Sequence, residues 1–283
     1  MNKKTNFIIN SSKNHEQCII SSKNKKSYCN ENEEFFINKN EFLNNKKLIT
    51  ISPGGFKGFY LLGILTFVKE NYHTDNLIFS GASAGAWNSL FMSYKGDTLT
   101  FVYNFLDENI RKAKSLTELQ YFFKYKLLSS YKTDDFDLRR LFIGVTTFNN
   151  FKLNTNIYTD FDDLEDAICC CMASSHIPLI TGGITNRYKN MFSLDGGFSN
   201  YPYLDKDKLL HISLSMWDEL KGINSNKHFI KRKMLDIKNF SEFFSFSKNN
   251  LLELFDNGYQ DAKMHKEYLD DIFDKKFDDA PEF

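Results

Sequence analysis

Apolar positions along this chain switch between two periods. An apolar run at 48–52 reads as a short buried strand. A Pro-Gly-Gly turn follows it, and then Leu61, Ile64, Leu65 and Val68 fall on one face at helical spacing. Residues 77–80 read as the next strand, and 84–94 as the next helix, closed by Gly96. Residues 99–142 pattern as mostly helical, with aromatic and basic residues interleaved in YFFKYKLL at 121–128. LFIGVTTF (141–148) and FKLNTNIYT (151–159) read as paired strands, and DLEDAICCCMAS (163–174) as a helix. Strict alternation returns in LLHISLSM (209–216). There Leu210, Ile212, Leu214 and Met216 face one way, and His211, Ser213 and Ser215 the other. The C-terminal stretch patterns as amphipathic helices. Strands alternating with helices predict an α/β layered domain around a largely parallel sheet.

The first 46 residues break this pattern. They are rich in Asn, Lys, Ser and Glu, and SSKN occurs at 11–14 and again at 21–24. Such a segment has little apolar area to offset its ordering entropy, so 1–46 is expected to be a flexible segment ahead of one domain over 47–283. EEFFINKNEFL (33–43) is the exception, with enough apolar side chains to dock as an arm or short helix.

Composition narrows the function classes. Lysine plus arginine and aspartate plus glutamate each number 36, so no excess of positive charge points to nucleic acid. No apolar run of about 18 residues is present, and MNKKTN has no apolar core of signal-peptide length. The expectation is an intracellular chain, soluble or peripherally membrane-associated. Cys18 and Cys29 lie in the polar segment, Cys169, Cys170 and Cys171 are consecutive, and no Cys-x-x-Cys occurs. The triple reads as small buried apolar residues, and neither a metal nor a cofactor is expected.

One stretch combines strand, sharp turn and helix: NLIFSGASAGAWNSLF at 76–91. Gly81 and Gly85 flank Ala82-Ser83-Ala84. This is the context of a nucleophile elbow, in which the serine is lifted out of a strained turn at a helix N-terminus. Free N–H groups there favour negative charge, and the N–H of Ala84 can point at an oxyanion. A helix-capping serine in a Gly/Ala turn is the plainer reading of the same residues. Two further junctions favour chemistry. SPGGFKG, 52–58, exposes the backbone N–H groups of Gly54 and Gly55 at a second helix start, as an oxyanion hole requires. It lacks the Gly-Lys-Ser/Thr of a phosphate-binding loop. FSLDGGF, 192–198, brings Asp195 out of a strand into Gly196 and Gly197.

In this order the three motifs resemble the patatin-like phospholipase family, most closely its adiponutrin and adipose triglyceride lipase branch. SPGGFKG is similar to the family's Gly-rich oxyanion loop, GASAG to its nucleophile elbow and DGG to its catalytic aspartate. The stretches 51–65 and 167–202, and NGYQDAKMH at 257–265, resemble the branch beyond the motifs, so the likeness runs over roughly 47–270. The resemblance implies a three-layer α/β/α fold and a serine lipid acyl hydrolase of phospholipase A or acylglycerol lipase type. It implies a Ser83–Asp195 dyad working through an acyl-enzyme, with Gly54, Gly55 and Ala84 as oxyanion donors. Gly58, Gly81, Gly85, Gly196, Gly197 and Lys57 support the motifs. The implied partners are a lipid substrate and, transiently, a membrane or lipid-droplet surface, with no nucleic acid.

Two departures bear on activity, at Pro53 and after Asp195, and Lys57 has two readings. Pro53, which has no N–H, stands where the family usually has glycine, so either the hole is one donor short or the proline only stiffens the loop. Lys57 either supports the oxyanion or a lipid phosphate, or is an exposed helix lysine. The residues after Asp195, FSNYP at 198–202, lack the acidic residue of close relatives. Two rivals stay open: a Ser–Asp–His triad completed by His211 or His265, and a weak or silent lipid-binding protein on the same fold. YFFKYKLL and FSEFFSFSKNNLLELF (240–255) are candidates for a lipid interface or for core.

Overall fold

The apolar runs become strands. In the computed structural model, which describes residues 5–9, 41–107, 110, 113–149, 152–220 and 250–276, they form β2 (Lys47–Ile51), β3 (Leu77–Gly81), β4 (Leu141–Asn149), β5 (Lys152–Thr159) and β8 (Lys208–Ile212). Three more join them: β1 (Thr5–Ile9), β6 (Asn186–Tyr188) and β7 (Met191–Leu194). The sheet order is β1-β5-β4-β3-β2-β8, with β7 also paired to β4 and β6 to β7. The β1–β5, β2–β3, β2–β8 and β3–β4 pairs are parallel, and β4–β5, β4–β7 and β6–β7 are antiparallel. The fold is therefore α/β with a mostly parallel central sheet.

The alternating stretch at 209–216 is a strand only as far as Ile212. Met216 already begins a helix, so Leu214 and Met216 do not extend the ladder. Residues 18, 29 and 240–249, on which expectations also fall, lie outside the described residues.

Helices alternate with most of the strands. They are α1 (Glu41–Asn44), α2 (Gly58–Asn71), α3 (Ala84–Ser93), α4 (Thr98–Phe105), α5 (Leu116–Ser130), α6 (Leu164–Ser174), α7 (Met216–Leu220), α8 (Leu251–Met264) and α9 (Lys266–Asp270). Asp97, Ser115, Asp163 and Asn250 cap α4, α5, α6 and α8 by accepting the N–H three residues on. The main core joins one face of the sheet, through Ile49, Phe79 and Ile143, to these helices. The other face carries a smaller core of Leu48, Ile78, Phe142 and Ile157, covered by Leu43 of α1 and by Leu204.

Two helices are central to the site, and both are almost wholly buried. α2 is crossed closely by α8. A side chain at Gly63 would meet the Phe255 carbonyl, and one at Gly258 the Tyr60 carbonyl. Tyr60 Oη donates to Asp261 Oδ2 across the crossing (2.5 Å). α3 is held at its C-terminal end by two buried basic side chains. Lys69 Nζ donates to the carbonyls of Phe91, Met92 and Tyr94, and Arg140 donates to those of Met92 and Thr74. Positive charge there complements the helix dipole. Cys170 and Cys171 are buried in α6, and burial holds their thiols well above the ordinary range. Among the described residues no helix is long and apolar enough to cross a membrane.

Candidate active site

The sheet places Ser83 and Asp195 together through one strand. β5 occupies one edge of β4 along its length. On the other edge β3 runs up to Gly81 opposite Ile143, and β7 runs down to Leu194 opposite Thr146. The two chains thus meet head-on at the gap beside Gly144 and Val145, and both leave the sheet there. Ser83 Oγ donates to Asp195 Oδ2 at 2.6 Å.

The elbow explains its glycines. Ser83 sits at φ 55°, ψ −125°, a strained backbone for a residue with a side chain. Side chains at Gly81 or Gly85 would run into the carbonyls of Gly85 and Ile51. The Ser83 N–H is used inward: it donates to Ser174 Oγ (2.8 Å), whose hydroxyl donates to Gly144 O (2.7 Å). Ser174, at the end of α6, thereby ties the elbow to the gap in β4. It was not legible in the sequence, because only the fold brings Ser174, Ser83 and Gly144 together.

Asp195 is buried and oriented from both sides. Its N–H donates to His176 O (2.6 Å), and the Gly197 N–H donates to its Oδ1 (2.6 Å). Burial raises its pKa to about 6 against the opposing hydrogen bonds from Ser83 and Gly197. Gly196 packs where a side chain would strike Gly144 O, and Pro53 packs against the Gly197 turn.

Gly55, Gly58, Ser83, Ala84 and Asp195 share the wall of one cleft of about 750 Å³, its open mouth included. Gly55 takes φ 53°, a conformation that favours glycine. Gly54 is buried one residue behind it, at the start of a short turn that ends at Lys57, and Lys57 is half-exposed. Ala84 opens α3, so its N–H has no acceptor within the helix.

Away from the serine the cleft is lined by Phe59, Leu62, Phe101, Phe105, Phe123 and Leu127, among others. YFFKYKLL is thus divided: Phe123 and Leu127 face the cleft, while Tyr121 and Tyr125 stack on the surface. The few polar donors in the lining are engaged. Trp87 Nε1 donates to Ser175 Oγ, Asn88 Nδ2 to the carbonyls of Gly58 and Ala84, and Gln120 Nε2 to Ser175 O. What remains toward the cavity is apolar. Trp87, Gln120 and Ile177 went unnoticed in the sequence because an apolar lining residue and a core residue share one periodicity.

The two histidines of the rival triad, His211 and His265, are engaged elsewhere. His211 Nδ1 is 2.8 Å from Thr50 Oγ1 on β2. His265 bonds to Asp261 O and stacks on Trp217. His176 is buried, its pKa lowered by burial, and its Nε2 has no hydrogen-bond partner among the described residues.

A family model described as patatin-like phospholipase matches residues 49–205, more than half of the chain. The chain belongs to that family. The matched span contains the elbow, the Gly-rich loop and the Asp195 turn of this patatin-like protein. It is 26% identical over 242 residues to human patatin-like phospholipase domain-containing protein 4, covering 76% of this chain and 94% of the human one. Among solved structures, VipD from Legionella pneumophila aligns with a TM-score of 0.39 and 15% identity, covering 81% of this chain and 68% of that one. Membership of the patatin-like family supports lipid hydrolase activity in general.

Proposed function

We propose that this protein is a lipid acyl hydrolase that cleaves carboxylic esters through a Ser83–Asp195 dyad and an acyl-enzyme. The observation that carries the reading is the 2.6 Å hydrogen bond from Ser83 Oγ to a buried carboxylate at the mouth of an apolar cleft. Attack of Ser83 Oγ on the ester carbonyl forms the C–O bond as the hydroxyl proton passes to Asp195 Oδ2. The carbonyl oxygen becomes an oxyanion, facing the N–H groups of Gly55 and Ala84, with Gly54 behind them. Each such donor is worth roughly 10²–10³ in rate. Collapse breaks the bond to the leaving alcohol, which takes the proton from Asp195. Water then gives a proton to Asp195, attacks the acyl-enzyme and releases the fatty acid. The proton returns to Ser83.

The cleft suits one end of the substrate. Its aromatic and leucine lining would hold an acyl chain. The transient partner in this reading is a membrane or lipid-droplet surface.

The test is product analysis on long-chain lipid esters. Purified wild type should release free fatty acid and Ser83→Ala should release none above background. Equal release by the mutant would overturn the reading.

A further inference from the structure

The β4–β5 hairpin overshoots the sheet. β3 ends opposite Ile143, yet β4 continues to Asn149, about 20 Å further at strand rise. The dyad lies beside Gly144 and Val145, so Phe148 stands about 10 Å beyond it along β4, on the face of Phe142 rather than that of Ile143.

This projecting region has its faces reversed. Register places Leu153, Phe148, Phe192 and Arg187 in one row across β5, β4, β7 and β6. All four are exposed, and the Arg187 guanidinium lies over the Phe192 ring at 4.1 Å. The alternate row on the opposite face holds Thr147 and Ser193, which are buried. Asn156, on that face, donates to Thr147 Oγ1. A hairpin edge made for water has the opposite alternation.

A second apolar projection springs from the cleft wall. Ile177 lines the cleft, and the neighbouring His176 carbonyl receives the Asp195 N–H. Beyond them Leu179 is 78% exposed and Ile184 71% exposed. Leu179 is also held at φ 66°, a strained backbone for an exposed leucine.

The charge pattern says what should cover these surfaces. Between 141 and 159, and between 176 and 194, the sequence has no carboxylate. Its only charged residues there, histidine aside, are Lys152, Arg187 and Lys189. Lys189 is paired with Asp162 and Asp166, whereas Lys152 and Arg187 flank the exposed row. In a chain of zero formal net charge this is a local separation. Apolar side chains rimmed by cations match an anionic lipid surface.

We propose that the Leu153–Phe148–Phe192–Arg187 row and the Leu179–Ile184 loop together dock the protein on anionic lipid. The proposal deepens the lipid hydrolase reading and rests on it for the role of docking, but the binding itself does not need a working dyad.

The experiment is vesicle flotation of the full chain carrying Ser83→Ala, so that the lipid stays intact. It should float with vesicles of phosphatidylcholine mixed with phosphatidylserine, and less with phosphatidylcholine alone. The pairs Phe148→Ser with Phe192→Ser, and Leu179→Ser with Ile184→Ser, should each lower binding about tenfold or more, since each buried methylene adds to lipid affinity. Arg187→Glu should lower binding to the mixed vesicles about fivefold or more. With Ser83 restored, the same variants should keep the wild-type rate on a water-soluble butyrate ester. Failure of the parent to float, or undiminished flotation of the paired variants, overturns the proposal. So does a concentration-dependent dimer in sedimentation that those variants dissolve. Should a paired variant fail to fold, Arg187→Glu decides alone, because its side chain is exposed. Flotation without any esterase activity in wild type would count against the dyad and leave the docking surface standing.

Discussion

Asp195 has a carboxylate cut off from water, and that fixes the expected pH behaviour. Its pKa is raised to about 6, chiefly by burial. The base must be ionised to take the serine proton, so kcat/KM on a soluble neutral ester should be flat above that pKa. Below it, the rate should fall about tenfold per pH unit. A limb centred in the ordinary carboxylate range would show that a different group controls the rate. Asp195→Asn keeps the shape and removes the base, and should cost about 10²–10⁴ in kcat. His211→Ala and His265→Ala should keep most of the rate, since both rings are bonded elsewhere. A folded His211 or His265 variant as slow as Asp195→Asn would favour a triad. The glycine signals at this scale were legible because Gly55, Gly81 and Gly85 stand where backbone geometry or close approach demands glycine. Ser174 was not, because nothing local distinguishes it from Ser175.

α3 illustrates how an element carries the site. Its N-terminus presents Ser83 and Ala84, and its C-terminus is fastened by Lys69 and Arg140. Burial pushes the Lys69 pKa well below its ordinary value, yet its Nζ still meets three carbonyls. Lys69→Met keeps the length but removes the donor to Tyr94 O, while the Phe91 and Met92 carbonyls keep the Tyr94 N–H and Arg140; an acceptor left unsatisfied costs about 1–3 kcal/mol. Urea denaturation should show a loss of at least that size, and an unchanged midpoint would mean that Lys69 does not fasten the helix. The long periodic elements α2, α3, β4 and β5 were readable because their apolar spacing is set by burial on one face or all round. β6 has only three residues, too few for a period to register. β8 was read too long because Leu214 and Met216 continue the alternation by chance while the backbone turns into α7.

The sheet order bears on which part of the chain is needed. β1 pairs with β5 on the far side of β4 from β3, roughly three strand spacings, about 14 Å, from the strand that carries the elbow. We propose that catalysis needs only 47–283, even though β1 joins the edge of the sheet and Leu43 of α1 covers its smaller core. Deleting residues 1–32 should leave esterase activity nearly unchanged, and a large loss of folded protein would make the N-terminal segment part of the core. The strand order and the head-on meeting of β3 and β7 could not be read from the sequence, because they depend on pairings far apart in the chain. In the proposed mechanism the whole arrangement activates one hydroxyl. A fluorophosphonate probe is attacked by such a hydroxyl with loss of fluoride, and peptide mapping by mass spectrometry locates the adduct. The prediction is one adduct per chain, on the peptide containing Ser83, absent from Ser83→Ala. An adduct on another residue, or equal labelling of Ser83→Ala, would contradict it.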